Sequence, residues 1–304
     1  YQFEVTDAFR AGETASVDDL NLRGFDVAAP DTHLSLRVRS TYETPAEQTM
    51  RIGSPSLRSE APQVFVVGDA TTAKWPLTIR EDNVAAAIVA SKDIRLLIPE
   101  GLSLRWDPVR GDLSQLLGGS AMRKVSGISY SIDSTAIILE VAEDFLPGDD
   151  LIIGTTLDSV RLTDFGGSSY GTLRAQLDTI EGFEIVDAET LFVGAPALES
   201  IADQTFVRGQ SSTTDVYELY PLFLTEDSRV ATMRQGNLIR LVLPDSLSWE
   251  SSDRGSQVSI TVEDSSGGVA EKIDTTATIY GDTATVRILE TLEPGDRVAI
   301  TEGL

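Results

Sequence analysis

The 304-residue chain has no cysteine, a single histidine (His33) and only four lysines (Lys74, Lys92, Lys124, Lys272) among its 24 basic residues. Without thiols there can be no disulfide, no thiolate nucleophile and no cysteine-based zinc site. No stretch approaches the roughly eighteen consecutive apolar residues that a membrane span needs, so this segment is not expected to insert into a bilayer. Helical periodicity is also scarce: Asp112–Leu117 has room for one turn, and Val84–Ala90 is ambiguous. The chain opens on Tyr1 with no basic-plus-apolar leader, which reads as a processed or excised portion of a longer precursor.

Basic charge is the other shortage. Forty-eight acidic against 24 basic residues give a net charge of -24. Such a surface repels phosphate and anionic lipid, so neither nucleic acid nor membrane is an expected partner. The excess suits salty water or a protein that collects cations. Its preference for Arg over Lys fits a saline habitat and a GC-rich genome equally.

What the chain does have is repetition. Arg51-Ile-Gly-Ser-Pro-Ser-Leu-Arg-Ser59 returns as Phe192-Val-Gly-Ala-Pro-Ala-Leu-Glu-Ser200, and Gln63-Val-Phe-Val66 as Gln204-Thr-Phe-Val207. Trp75-Pro-Leu and Glu81-Asp82 return as Tyr220-Pro-Leu and Glu226-Asp227. Asp93-Ile-Arg-Leu-Leu-Ile-Pro99 returns as Leu238-Ile-Arg-Leu-Val-Leu-Pro244, followed by Trp106 and Trp249. Glu143-Asp-Phe-Leu-Pro-Gly-Asp149 returns as Glu290-Thr-Leu-Glu-Pro-Gly-Asp296, and a third copy is Thr6–Glu13. The period is roughly 140 residues, the size of one domain.

Between Gly/Pro/Asp turns lie short alternating or β-branched runs, among them Gln63–Val67, Lys92–Ile98, Thr135–Val141, Leu173–Leu177, Leu238–Leu243, Thr275–Tyr280 and Arg297–Thr301. This pattern predicts an all-β chain of tandem antiparallel sandwiches. The expected units are a partial repeat (residues 1–45), a first sandwich (46–180) and a second sandwich (181–304). Trp106 and Trp249, each just past a strand-ending Pro, are expected as core plugs at the sandwich edge. Trp75, which is aligned with Tyr220 and also precedes a Pro, is expected to be structural too.

The frame of the repeat is broken. The first unit runs on to a closing strand, Thr172–Leu177, for which the second unit has no counterpart after Arg297–Thr301. Residues 2–40 instead read as closing strands, Gly12–Leu22 and Leu34–Val38, with no sandwich ahead of them. A following copy in a longer array, or the N-terminal segment of another subunit, would supply the missing strand, and strand addition between subunits is favoured. Arg297–Thr301 is the edge expected to be open.

Asp93-Ile-Arg-Leu-Leu-Ile-Pro-Glu-Gly101, Trp106-Asp107, Lys124-Val-Ser126, Glu143-Asp-Phe145 and Gly148-Asp149 resemble a recurring extracellular repeat of very large bacterial surface proteins, and Ala29–Val38 resembles its closing strand. The second copy departs from that pattern at Trp249-Glu250 and Leu292. The resemblance implies immunoglobulin-like or cohesin-like sandwiches in an adhesin, surface layer or filament, and it brings no catalytic residue with it.

Candidate chemistry is thin. Gly167-Ser-Ser-Tyr-Gly171 matches the serine-hydrolase Gly-x-Ser-x-Gly pattern but lacks a following helix and a catalytic His, so it reads as a turn. His33 reads as an exposed strand residue. The recurring Glu81-Asp82 and Glu226-Asp227 pairs are read as solvated turn residues rather than glycosidase carboxylates. Calcium is the one candidate cofactor, with Asp144, Asp149 and Asp150 (beside Glu143), or Asp18-Asp19, as ligands at domain junctions. The chain is thus expected to be an extracellular, non-enzymatic, self-associating protein of the cell surface. The alternative is an adhesin stalk or carbohydrate-binding module with a surface glycan as partner.

Overall fold

The computed structural model describes residues 4–16, 29–38, 42–90, 92–108, 113–155, 157–177, 184–205, 219–244, 247–249, 255–264 and 268–303. The protein is all-β. An N-terminal hairpin is made of β1 (Ala29–Val38) and β2 (Tyr42–Ile52). The first sandwich begins with β3 (Ser56–Ser59), β4 (Gln63–Val66), β5 (Thr72–Ala73), β6 (Leu77–Arg80), β7 (Ile94–Leu97) and β8 (Arg105–Asp107). It continues with β9 (Leu117–Gly118), β10 (Val125–Tyr130), β11 (Ala136–Val141), β12 (Asp150–Ile153) and β13 (Arg161–Thr163). It closes with β14 (Ser169–Gly171), β15 (Arg174–Leu177), β16 (Glu184–Val186) and β17 (Leu191–Gly194). The second contains β18 (Ala197–Ser200), β19 (Leu222–Thr225), β20 (Leu238–Val242) and β21 (Ser256–Ser259). Its last strands are β22 (Thr261–Asp264), β23 (Thr276–Tyr280), β24 (Thr283–Arg287) and β25 (Arg297–Glu302). Leu113–Leu116 is a single α-turn, within the stretch Asp112–Leu117 expected to have room for one, and residues 84–90 form no helix.

The two halves share the order of their main strands. One sheet of the first sandwich has the order β3-β6-β12-β9, and one sheet of the second has β18-β19-β25-β22. The facing sheets are β10-β11-β7-β15-β16 and β21-β23-β24-β20. Alternation along the strands directs every second side chain inward. In β6, Leu77 and Ile79 are buried while Arg80 is exposed; in β24, Ala284 and Val286 are buried while Arg287 is exposed. The result is two separate cores, one drawn from Leu57 to Val193 and the other from Leu224 to Ile300. Ile185, Leu191 and Val193 lie in the first core. Residues 184–194, assigned by repeat alignment to the second unit, therefore pack with the first.

Both tryptophans are core plugs. Trp106 sits on β8 opposite Leu162 and is fully buried, and Trp249 is buried in the other core. Each reaches the same hairpin turn. The Trp106 backbone N–H donates to Ser134 O (2.9 Å), and Trp249 Nε1 donates to Asp282 O (2.9 Å). Both turns place a residue at positive φ, Ser134 at 55° and Gly281 at 63°, which suits glycine better than serine.

Two expectations change. Arg297–Thr301 is not an edge, because β25 lies between β19 and β22. Of the expected closing strand Gly12–Leu22, residues 12–16 form no strand and the remainder falls outside the described residues. Because the cores are separate, Trp106→Ala should destabilise the first sandwich and Trp249→Ala the second, each by about 3–5 kcal/mol. Residue-resolved hydrogen exchange in denaturant checks this; loss of protection in both sandwiches from one substitution would contradict it.

Candidate functional site

The feature that most distinguishes the two sandwiches is how one strand edge is covered. In the first, β7 has β11 on one side and β15 on the other, and β15 continues into β16 as a hairpin. Leu173 and Ala175 of this closing hairpin are fully buried. A polar lock holds it down. The Asp187 carboxylate, just after β16, accepts from the Ser59 backbone N–H (2.8 Å) and from the Ser59 hydroxyl. The same hydroxyl accepts from the buried Lys74 ammonium (3.0 Å). Burial lowers the Lys74 pKa to about 8, against the pull of Asp187 and Glu60.

In the second sandwich β20 occupies the place of β7 and pairs with β24 alone among the described residues. Val242, the counterpart of the partly covered Leu97, is 63% exposed, and Leu238 is exposed as well. Leu198, aligned with the buried Leu57, is also exposed.

The N-terminal hairpin has the same pair spacing as the closing hairpin. In the closing hairpin Gly171 pairs with Leu191, Arg174 with Val186 and Gln176 with Glu184. In the N-terminal hairpin Thr32 pairs with Met50, Ser35 with Pro45 and Arg37 with Glu43, at the same spacings. Glu43 repeats Glu184: one binds Arg37 (2.7 Å) and the other Arg174 (2.7 Å). Yet β1 and β2 form a sheet of their own, and Leu34 and Leu36 are 54% and 61% exposed where Leu173 and Ala175 are at 0%. A two-stranded hairpin with a bare apolar face is marginal alone. Leu34–Val38 thus pairs inside its own chain, and among the described residues β20 of the second sandwich pairs on one side alone while Arg297–Thr301 pairs on both.

Glu81, Glu226 and Asp227 are buried and Asp82 is part-buried, so the Glu-Asp pairs are not solvated turns. Glu81 accepts backbone N–H groups from Asp82 (2.8 Å), Ala87 (3.0 Å) and Ile88 (2.7 Å). Burial raises its pKa, and those N–H groups oppose the shift. Glu226 repeats the pattern with Asp227 (2.8 Å), Thr232 (2.9 Å) and Met233 (2.6 Å). Asp227 then ties the sandwiches together, accepting from Ala195 N–H (3.0 Å) and from the Ser168 hydroxyl (2.8 Å) of the first. Burial pushes the Asp227 pKa up, but these donors, with the N–H groups of Arg229 and Val230, outweigh it and hold the group below its usual value. Gly194 has to be glycine at this joint, since a Cβ would lie 2.2 Å from Thr232 Cγ2.

The calcium candidates are already engaged. Asp149 pairs with Lys124 (2.8 Å) and accepts from Leu146 N–H, Asp150 accepts from Ser120, and Asp144 accepts from Ala90 N–H. Burial pushes the Asp149 pKa up, and Lys124 with the other donors brings it down overall. Lys272–Asp296 (2.9 Å) repeats the pair in the second sandwich, so a lysine stands where a cation would sit. No group of three or more metal-binding side chains is gathered among the described residues, and Asp18-Asp19 lies outside them.

The remaining motifs carry no reaction centre. Ser169 lies in β14, its hydroxyl donating to Gly167 O and accepting from Ser103 N–H. Gly167–Gly171 is thus partly strand rather than a pure turn. His33 is exposed in β1, as expected. Trp75 and Tyr220 are half-exposed, so they are less structural than their alignment implies, although each backbone N–H is held by a repeated glutamine, Gln63 and Gln204.

No family model matches the chain, and no curated protein matches it. Among solved structures it is similar to the C-terminal domain of the Streptococcus agalactiae AgI/II polypeptide BspA, with 9% identity over 83% of this chain and 91% of that one, at a TM-score of 0.34. A mutant BspA C-terminal structure gives 10% identity over 83% and 90%, at a TM-score of 0.35. Likenesses this loose carry nothing about function.

Three outcomes follow. Unfolded Lys74 keeps its proton up to the ordinary lysine value of 10.5, while folded Lys74 releases it near 8. Between these values the unfolded state binds more protons, so the stability of the first sandwich should rise with pH by up to about 3 kcal/mol. Urea titrations should show this rise in the native chain and not in Lys74→Met; equal slopes would contradict it. Asp227→Ala should cost about 1–3 kcal/mol and speed amide exchange at Ala195 and Val230, and unchanged exchange there would remove the joint. Added NaCl should raise the melting temperature by screening the net charge of -24, whereas calcium and EDTA should give equal curves at matched ionic strength. A calcium-specific rise would restore the metal.

Proposed function

We propose that the protein is a non-enzymatic structural repeat of an extracellular cell-surface assembly, a filament, sheath or surface layer of immunoglobulin-like or cohesin-like sandwiches joined head to tail by strand exchange. One observation carries this reading. Among the described residues the β1–β2 hairpin forms a sheet of its own with Leu34 and Leu36 exposed, and β20 of the second sandwich pairs on one side alone. A donor and an acceptor on different faces make a heterologous contact, which propagates into an open polymer rather than a closed dimer. The acidic surface suits saline surroundings, where screening weakens repulsion between copies.

Sedimentation velocity tests the reading. The full chain should form a concentration-dependent ladder of oligomers, and the chain lacking residues 1–40 should keep both sandwiches folded and stay monomeric. A full chain that remains monomeric into the hundred-micromolar range, roughly the weak end of specific association, would reject it.

The half-exposed Trp75 and Tyr220, placed alike in the two repeats, favour the second reading, an adhesin stalk or carbohydrate-binding module. Glycan-array binding that is lost in Trp75→Ala and Tyr220→Ala would select it.

A further inference from the structure

Resting on that reading, we propose that the open edge at Leu238–Val242 is a binding site for the β1–β2 hairpin of a second copy of this chain, in one antiparallel register, and that Ala46 and Leu219 encode which hairpin belongs there. The register comes from the chain's own intramolecular example. On β7 the closing hairpin pairs Arg174 with Leu97, Ala175 with Leu96 and Leu177 with Ile94. Strand β20 matches β7 in its pairing with β24, as β7 pairs with β11. The N-terminal hairpin matches the closing hairpin pair for pair. Transferring one onto the other sets Ser35 opposite Val242 and Leu36 opposite Leu241. Leu34 and Leu36 then enter the second core at the places that Leu173 and Ala175 fill in the first. Backbone pairing provides the attraction, and the alternating apolar side chains provide the register.

The code follows from the polar lock. With Glu43 aligned to Glu184 and Gly53 to Gly194, the position of Asp187 is held by Ala46. With Tyr220-Pro-Leu aligned to Trp75-Pro-Leu, the position of Lys74 is held by Leu219. Ser59, which bridges the charged pair, is repeated as Ser200, whose hydroxyl instead donates to Ala202 O (3.0 Å). One hairpin–sandwich pair is thus acid with base, and the other is methyl with isobutyl. Exchanging the hairpins would bury Asp187 against Leu219 with no cation, or leave Lys74 facing Ala46. A buried charge without its partner is strongly unfavourable, so each hairpin is directed to its own edge.

Because the chain has no cysteine, the register can be read by cross-linking. Ser35→Cys and Val242→Cys chains, mixed under mild oxidation, should give a disulfide-linked dimer. Ser35→Cys mixed with Leu238→Cys, four residues off register, should not. Ala46→Asp, which changes only the hairpin, should weaken association at least about 100-fold while leaving the circular dichroism unchanged. Adding Leu219→Lys should restore it. If chains associate and Ser35–Val242 fails to cross-link, the edge or the register is wrong although the assembly reading stands. If Ala46→Asp associates like the native chain, the code is wrong. If the native chain never associates, the assembly reading and this inference fall together.

Discussion

An unpaired strand edge is a row of backbone N–H and C=O groups that must be paired or left wet, and in this chain the edge of the Ile-Arg-Leu strand governs the rest. In the first sandwich β15 pairs with that edge and the fold is complete: Leu173, Ala175 and Leu177 enter the core, and Asp187 reaches Ser59 and Lys74. In the second the edge has no described partner, and the consequences spread outward to the exposed Val242 and Leu198. The same deficit gives the N-terminal hairpin its meaning. Its Leu34 and Leu36 are exposed where the aligned Leu173 and Ala175 are buried.

Around this constraint the remaining interactions build a rigid repeat. Carboxylates do most of the local work, and they do it as acceptors of backbone N–H groups rather than as surface charge. Glu81 and Glu226 each gather a loop, Asp149 and Asp296 each hold a Pro-Gly-Asp turn against a lysine, and Asp227 bonds across the joint. The shortage of lysine takes on a structural sense here. Lys74, Lys124 and Lys272 each donate to a buried or part-buried oxygen. Such a protein carries a strong like-charge field, so the assembly proposed above needs contacts specific enough to overcome repulsion.

Much of this was legible in the sequence, because internal repetition lets one half act as a control for the other. The strand pattern and the buried tryptophans could be read from aligned motifs. The location of the open edge could not. Arg297–Thr301 ends the motif series, but strand order in a sheet is not chain order, and β25 turns out to be central while β20 is not. The Glu-Asp pairs were misread for a similar reason. A carboxylate at a strand end is the same letter whether it faces water or three backbone N–H groups, and only the path of residues 82–88 reveals the latter. The Lys74–Asp187 lock spans more than 100 positions of sequence, too far for aligned motifs to join its members.

The central claim is that β20 is incomplete by itself and is completed by another copy. Amide exchange at Leu238–Val242, followed as protein concentration is raised, tests it most directly. The account predicts fast exchange at the outward-facing amides of this strand in dilute solution and protection rising toward that of Ile94–Leu97 as chains associate. Protection that is already high in dilute solution, or that stays low while the chains assemble, would contradict it.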